Sequence, residues 1–153
     1  MNDPGNIRLR NATAADLDAV LAFWKLSAHG TSISDDRDGI ERLTVRDPEA
    51  LILAERVAAT ASGAAEAVLV GTVIAGFDGW RCSLYRLAVH PDHRRLGISG
   101  ALLTAAEERF VRLGGRRGDA MVLDDNAPAR SAWGSAGYGP QPQWTRWVKS
   151  LTP

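Results

Sequence analysis

A short segment from residue 89 to residue 103, VHPDHRRLGISGALL, brings two arginines and two glycines to the start of a helix. The first N–H groups of a helix lack intrahelical partners and carry the positive end of its dipole, so they bind anions. Arg94 and Arg95 add charge, while Gly97 and Gly100 let a ligand approach the backbone. The segment lacks the G-x-G-x-x-G and Gly-Lys-Ser/Thr patterns of dinucleotide and P-loop sites. We therefore expect a different anion site here, with a plain strand-to-helix turn as the alternative.

The composition makes any such site local. The chain has 153 residues, and its 18 Lys plus Arg balance its 18 Asp plus Glu. The protein therefore has no overall positive field that would attract an anionic membrane. The sequence also lacks the stripe of basic residues that would favour a nucleic-acid-binding protein. The single cysteine, Cys82, excludes an intrachain disulfide and a cysteine-based zinc site. The N-terminus lacks the apolar core of a signal peptide and the apolar runs are too short to span a bilayer, so we expect a cytoplasmic protein.

Apolar periodicity and turn residues predict the elements that position this segment. We expect strands at 7–9, 50–57, 66–77, 82–89, 119–124 and 143–151, with a further short strand near Tyr138. We expect helices from a capping box at Thr13–Asp16 to about residue 27, at 36–45, at 98–113 and at 126–137. The order β-α-α-β-β-β-α-β-α-β predicts one α/β domain over residues 1–153.

Two motifs in this order resemble the GCN5-related N-acetyltransferase (GNAT) superfamily. The first motif is an apolar strand ending in V-x-P, followed by R/Q-x-x-G-x-G/A and an amphipathic helix. Residues 94–99 fit the R/Q-x-x-G-x-G/A part, except that Ser99 stands where the family has Gly or Ala. The second is N-x-x-A, an aromatic residue and G-F/Y, met here by Asn126, Ala129, Trp133, Gly137 and Tyr138. The resemblance covers essentially the whole chain and is strongest to small, stand-alone bacterial members. It implies an α/β (α+β) GNAT fold, with a mixed, mostly antiparallel sheet of six to seven strands and about four flanking helices.

The resemblance also implies the ligand: the anion is the pyrophosphate of coenzyme A, acetyl-CoA is the cosubstrate, and no metal is needed. The N–H groups of 94–99 would cradle the pyrophosphate, and the pantetheine arm would pair with strand 87–89 as an added strand does. Asn126 would contact the same arm from the far side. The implied binding residues are Leu87, Ala88, Val89, Arg94, Arg95, Leu96, Gly97, Ile98, Ser99, Gly100, Asn126, Ser131 and Trp133.

The implied reaction is transfer of an acetyl group to a primary amine of a small molecule or a protein, by direct attack in a ternary complex. The family takes an oxyanion-stabilising N–H from the strand backbone, here near Val89. Its usual tyrosine acid is replaced by Trp133, and its usual glutamate bases by Ser83 and Met121. Holding two reactants in register can supply about 7–11 kcal/mol, so we expect positioning to sustain the rate. The alternative is an acyl-CoA-binding module without turnover, acting as a sensor or a partner subunit.

The catalytic candidates that remain are Tyr85, Ser83 and Trp133. Regular alternation puts Tyr85 on the same strand face as Leu87 and Val89, from which it could reach the substrate, although a buried structural tyrosine is an equal alternative. Trp133 either walls the thioester end of the cofactor tunnel or simply packs in the core.

The acceptor candidates are His29, Asp35, Asp36 and Asp78. The two adjacent carboxylates could bind a cationic amine, or Ser34 or Asp35 could cap the second helix while Asp36, in its first turn, favours the dipole. The Asp-Gly turn explains Asp78 by itself, and an exposed loop explains His29. His90 and His93 lack a third ligand, so we expect no metal site. Trp144 and Trp147 of the closing strand could pair with a second copy, which leaves a homodimer open.

Overall fold

The computed structural model describes residues 6–28, 30 and 32–152. The strands are β1 (Ile7–Asn11), β2 (Leu51–Ala59), β3 (Ala65–Phe77), β4 (Cys82–Val89) and β5 (Gly118–Ala120). The helices are α1 (Leu17–Ser27), α2 (Arg37–Arg46), α3 (Ile98–Arg112) and α4 (Ala127–Ser135). The α/β class, the mixed and mostly antiparallel sheet, and the four flanking helices are confirmed. None of the described helices is long and apolar enough to cross a membrane.

The five strands form one sheet in chain order, and only its last pair is parallel. β4 and β5 pair from Cys82 opposite Gly118 to Leu84 opposite Ala120. β4 then continues to Val89, whereas β5 ends. Among the described strands, the second half of β4 therefore pairs with β3 alone, and no strand pairs with its other edge, which we call the open edge of β4.

A β-bulge interrupts β4 at this point. Ile74 of β3 pairs with Tyr85, whereas Thr72 pairs with Ala88, so two residues of β4 lie opposite a single residue of β3. Arg86, inside the bulge, has a φ of 53°, in the left-handed region that non-glycine residues rarely adopt. A bulge bends its strand and increases the local twist. The open half of β4 is thus turned relative to the half that pairs with β5.

The bulge overturns the face predicted for Tyr85. Leu87 and Val89 pack against the apolar cluster beneath α3, but Tyr85 lies opposite Ile74, which belongs to the cluster beneath α1. One extra residue sends the following side chains to the opposite face of the sheet. The Tyr85 side chain is also 52% exposed, so it is not a buried structural tyrosine.

Apolar clusters cover both faces of the sheet. The cluster beneath α3 and α4 is built on Val73, Leu84, Leu102, Leu103 and Trp133. The cluster beneath α1 and α2 is built on Leu17, Val20, Trp24, Ile40 and Leu53. Because β3 and β4 are packed on both sides, they form a rigid base for residues at their ends.

Local signals in the sequence set the helix ends as predicted. The Thr13 N–H donates to Asp16 Oδ2 at 2.7 Å, which confirms the capping box before α1. The Asn126 side chain accepts from the Ala129 N–H at 3.2 Å and begins α4. Gly137, with a φ of 93°, follows the end of that helix.

The C-terminal part of the sheet differs from the prediction. β5 has three residues in place of the six expected, and no strand forms anywhere in the described segment 121–152. All of 139–152 is exposed, including Trp144 and Trp147. Alternation from Trp144 places a tryptophan on each face of the predicted closing strand, so neither face is consistently apolar. Pro140 and Pro142 lie before that strand and supply no N–H to a ladder next to the short strand predicted near Tyr138. The sheet therefore has five strands in the described chain, not six or seven.

Gly71 should be required for the fit of α3 on the sheet. A Cβ added there would lie 2.9 Å from Ile98 Cγ2, 3.0 Å from Leu102 Cδ1 and 3.3 Å from the Ala88 carbonyl oxygen. Gly71→Ala should lower the free energy of unfolding by about 1–3 kcal/mol, since overpacking a tight core displaces its neighbours.

The matched control is Gly134→Ala in α4, where an added Cβ meets nothing within 4 Å. It should raise stability by about 0.5–1 kcal/mol through helix propensity. Urea unfolding followed by circular dichroism measures both variants, and a Gly71→Ala protein as stable as the control would contradict the packing argument.

Candidate functional site

The turn between β4 and α3 has an unusual backbone. Residues Pro91–His93 form a single 3-10 turn, and the His90 N–H donates to the Val70 carbonyl at 2.8 Å, which fixes the end of β4. Arg95 then has a φ of 65° and Gly97 a φ of 78°. Backbones that change between right- and left-handed conformations form concave groups of N–H donors that bind anions. The predicted anion loop thus has a geometry suited to an anion.

The start of α3 adds donors to this loop. Ala101 is the first residue whose N–H bonds back along the helix, to the Gly97 carbonyl at 3.0 Å. A Cβ built on Gly97 or Gly100 meets nothing within 4 Å, so space beside both backbones is open. Arg94 and Arg95 are exposed on the same turn. Donors, charge and room for a phosphate group therefore occur together here.

The open edge of β4 lies next to this turn in the chain. From Tyr85 to Val89 the strand has no β5 partner, because β5 ends opposite Leu84. An exposed strand edge offers alternating N–H and C=O groups to an extended ligand that contains amides. An extended group and its terminal anion could be held by the edge and the turn in succession.

The start of α4 and the buried Trp133 contribute differently to the site. Asn126 Oδ1 is used by the helix cap, which leaves the Nδ2 donors of the same side chain outside the cap. Ser131 is exposed. Trp133 is 8% exposed, and its ring meets that of Tyr138 edge-on with centroids 5.0 Å apart. Trp133 is therefore part of the core. Its neighbour Tyr138 is also partly buried, and this burial raises the pKa of the Tyr138 hydroxyl.

The other candidates on and around β4 are Ser83, the position of Met121 and Asp78, and each has a different environment. Ser83 is half-buried, and Met121, at the second position where the family has a glutamate, is 62% exposed. Asp78 accepts the N–H groups of Arg81 at 2.7 Å and Trp80 at 2.8 Å. These bonds lower the pKa of the Asp78 carboxyl, so it stays ionised at the tip of its turn. The geometry fits the turn role of Asp78, and its acceptor role stays a prediction.

Both carboxylates of the predicted acidic pair have partners within the protein. Asp36 Oδ1 accepts the Gly39 N–H at 2.7 Å and caps α2. Asp35 accepts the Ser32 N–H at 2.8 Å and forms an ion pair with Arg86. The geometry favours a cap at this position, but the cap is Asp36 and not the predicted Ser34 or Asp35. Asp35 is instead committed to an arginine. His29, the remaining acceptor candidate, lies outside the described residues.

Arg86 is the site residue that the motifs did not indicate. Its side chain is 14% exposed, so burial lowers the pKa of its guanidinium. Arginine nevertheless stays protonated in proteins, which explains why it needs the Asp35 carboxylate. The one available signal is the pair Tyr85-Arg86, where two polar residues follow each other and end the alternation of 82–85. Such a break in period is typical of a bulge.

The histidines near the turn contact neighbouring residues of the protein. His90 Nδ1 accepts the Asp92 N–H at 3.1 Å, and His93 Nε2 lies 3.3 Å from Arg56 Nη1. Burial, with the charges of His90 and Arg56, lowers the pKa of His93. Among the residues that the structure describes, no group of three or more His, Cys, Asp or Glu could hold a metal ion.

Proteins of similar sequence align with most of the length of this chain. An acetyltransferase of Yersinia enterocolitica is 33% identical over 120 residues, which cover 78% of this chain and 79% of the relative. An acetyltransferase of Pectobacterium atrosepticum is 33% identical over 111 residues, which cover 72% of each chain.

Solved structures share the fold. Ard1 from Thermoplasma volcanium superposes with a TM-score of 0.69 at 18% identity, covering 86% of this chain and 82% of its own. yncA from Salmonella typhimurium, solved with its cofactor acetyl-CoA, gives a TM-score of 0.64 at 22% identity, covering 88% and 80%. The family model for the acetyltransferase (GNAT) family matches residues 19–138, which include the bulged strand, the anion turn and α4. The chain therefore belongs to the acetyltransferase (GNAT) family and is an acetyl-CoA-dependent acyltransferase.

Proposed function

We propose that this protein transfers the acetyl group of acetyl-CoA to a primary amine of a small molecule or a protein, by direct attack in a ternary complex. The observation that carries the proposal is the open edge of β4, which leads from the bulge at Arg86 to the anion turn before α3. An extended amide arm that ends in a pyrophosphate matches this edge and turn in both shape and charge.

The residues implied by the family motifs fit acetyl-CoA in three places. The N–H groups of 94–99, with the Arg94 and Arg95 side chains, would bind the pyrophosphate. The backbone of 87–89 would pair with the pantetheine arm, and Asn126 would reach the arm with its Nδ2 group. Gly100, exposed at the start of α3, and Ser131, exposed on α4, complete the proposed set.

Acetyl-CoA supplies an acetyl group activated as a thioester. The neutral amine attacks the thioester carbon, and the N–H near Val89 would stabilise the oxygen that becomes negative. The C–S bond then breaks with its electron pair on sulfur, and the proton of the attacking amine passes to water. A thiol has a pKa near 8.5, so the sulfur can leave as a thiolate without a general acid. Trp133, which has no titratable proton, is therefore not needed as an acid. Tyr85 and Ser83 share the face beneath α1 and stay the polar catalytic candidates.

The acceptor is proposed only as a class. Among structures with the same fold, one is the ribosomal-protein-S18-alanine N-acetyltransferase of Escherichia coli, with a TM-score of 0.61. Another is an aminoglycoside 6'-N-acetyltransferase of Acinetobacter baumannii, with a TM-score of 0.65. Both are below 25% identical to this chain, so a protein amine and a small-molecule amine are both retained. A cytoplasmic setting and a homodimer also stay predictions.

A panel of amines tests the proposed reaction. Free thiol released from acetyl-CoA is measured with an aminoglycoside, a polyamine, a lysine peptide and a peptide that begins with alanine, each against a control without amine. Amine-dependent thiol release with a matching acetylated product is expected. Tight binding of acetyl-CoA without release for any amine would favour the alternative of a non-catalytic acyl-CoA-binding module.

Acetyl-CoA should raise the melting temperature, because only the folded chain has the site. A concentration 100 times Kd adds about 2.7 kcal/mol to the free energy of unfolding. Arg94→Ala removes a charge and Gly97→Asp adds a like charge beside the pyrophosphate, so both should reduce the shift. Thermal unfolding with and without acetyl-CoA measures it, and Arg112→Ala, at the far end of α3, is the control. A wild-type melting curve unchanged at millimolar acetyl-CoA would overturn the cofactor assignment.

Trp133 should affect the rate through its shape and not through a proton. Trp133→Phe should keep most of the activity in the amine assay. Trp133→Tyr should raise turnover by no more than about tenfold, although an effective general acid is typically worth about 10²- to 10⁴-fold. Both variants are compared at equal folded fraction, because Trp133 is in the core. A gain in turnover of about 10²- to 10⁴-fold for Trp133→Tyr would show that proton transfer to the thiolate limits the rate of the enzyme.

A further inference from the structure

Arg86 lies where the two halves of the candidate site meet. Its Nη1 group donates to the Gly30 carbonyl at 3.0 Å, and its Nη2 group forms the ion pair with Asp35. Gly30 and Asp35 belong to the connection between α1 and α2, which we call the acceptor loop and define as Gly30 and 32–36. The side chain of Arg86 therefore joins β4 to a loop that lies more than 50 residues earlier in the sequence.

The backbone of Arg86 is held from the other side. Trp24 Nε1 donates to Thr72 Oγ1 at 2.9 Å, and the same hydroxyl donates to the Arg86 carbonyl at 2.9 Å. Thr72 is fully buried and Trp24 is 5% exposed, so this relay excludes water. The guanidinium also lies 5.7 Å from the centroid of the Trp24 ring. The bulge is thus fixed at its carbonyl by α1 and β3, and at its side chain by the acceptor loop.

The acceptor loop in turn reaches the segment that follows β5. A Cβ built on Gly30 would lie 3.5 Å from Leu123 Cδ1. Gly30 consequently lies close both to Arg86 of β4 and to the chain beyond Ala120.

We propose that Arg86 is a positioning residue that couples the acetyl-CoA edge of β4 to the acceptor loop. The inference rests on the proposed function, which assigns acetyl-CoA to the 87–89 backbone, directly after Arg86. An extended ligand paired with that edge holds the bulge in place, and the guanidinium passes this constraint to Gly30 and Asp35. Asp35 then orders the amine side of the cleft and does not bind the amine itself.

The chemistry of the contact explains why an arginine stands here. A guanidinium is a planar fork that can bond to a carbonyl and a carboxylate at once, whereas a lysine ammonium is a point charge on a flexible stem. Arg86 uses two of its nitrogens in this way, towards two residues of one loop. Its left-handed backbone turns the side chain out of the strand alternation to reach them.

Hydrogen exchange tests the coupling without any amine. Asp35 donates its N–H to the Ser32 carbonyl at 3.0 Å, so its exchange rate reports on the order of the loop. Acetyl-CoA should slow exchange at the Asp35 amide of the wild-type protein by about fivefold or more, the usual lower range of coupling between sites. Asp35→Asn and Arg86→Gln should abolish the slowing at residue 35, while both keep the acetyl-CoA thermal shift. Asp36→Asn, which keeps an oxygen to cap α2, is the matched control and should respond as the wild type does.

Steady-state kinetics test the consequence for the acceptor, with the most active amine of the panel as the probe. Asp35→Asn and Arg86→Gln should raise KM for that amine by about tenfold, as expected for a lost charged hydrogen bond. KM for acetyl-CoA should change little, and Arg86→Lys should recover part of the loss because it keeps the charge. A structural lesion would instead lower the thermal shift and affect both KM values alike.

The possible results separate this inference from the proposed function. Wild-type slowing that survives unchanged in both Asp35→Asn and Arg86→Gln overturns the coupling, even if amines are acetylated. Slowing that depends on the ion pair supports the coupling, even if no amine in the panel is acetylated. If Arg86→Gln does not fold, Asp35→Asn decides alone, because its substitution lies in the loop and leaves β4 unchanged.

Discussion

A single extra residue in β4, held at Arg86 by the Thr72 hydroxyl, turns the second half of this strand away from β5. If β4 were regular, β5 could continue its ladder beyond Ala120, and the edge proposed for acetyl-CoA would be filled by the protein's own backbone. The bulge also moves Tyr85 to the face beneath α1, while Leu87 and Val89 stay beneath α3. One local distortion therefore separates the edge proposed for acetyl-CoA from β5 and also determines which side chains of β4 lie on each face of the sheet.

The electrostatics of the site follow from its backbone more than from its composition. The formal net charge is zero, so the anion must be attracted by groups close to it. The start of α3 supplies unpaired N–H groups, and Arg94 and Arg95 supply charge at the same turn. On the proposed acceptor side, Arg86 is neutralised by Asp35, so its charge would not repel a cationic amine. The acceptor side is thus closer to neutral than the two adjacent carboxylates of the sequence suggest.

The features that could be predicted from the sequence are those encoded over a few adjacent residues. The capping box at Thr13–Asp16, the cap at Asn126 and the glycine-rich turn before α3 all have this character, and all are found in the structure. The bulge could not be predicted in this way, because its register depends on contacts between Arg86 and residues about 50 positions away. Trp133 was identified by position, but its burial beside Tyr138 depends on how α4 packs. The closing strand was predicted from alternation, which fails where apolar residues occupy both faces.

The absence of the usual acid and base fits this architecture. A lysine-like amine has a pKa of about 10.4, so presenting it neutral at pH 7 costs about 5 kcal/mol. Holding two reactants in register supplies about 7–11 kcal/mol, which is enough to offset that cost without a dedicated base. Such catalysis works only if the amine is held as firmly as the thioester, because small displacements of a reacting atom lose much of the gain. The proposed mechanism therefore requires an ordered acceptor loop, and the ion pair of Arg86 with Asp35 ties this loop to the strand proposed to hold the thioester.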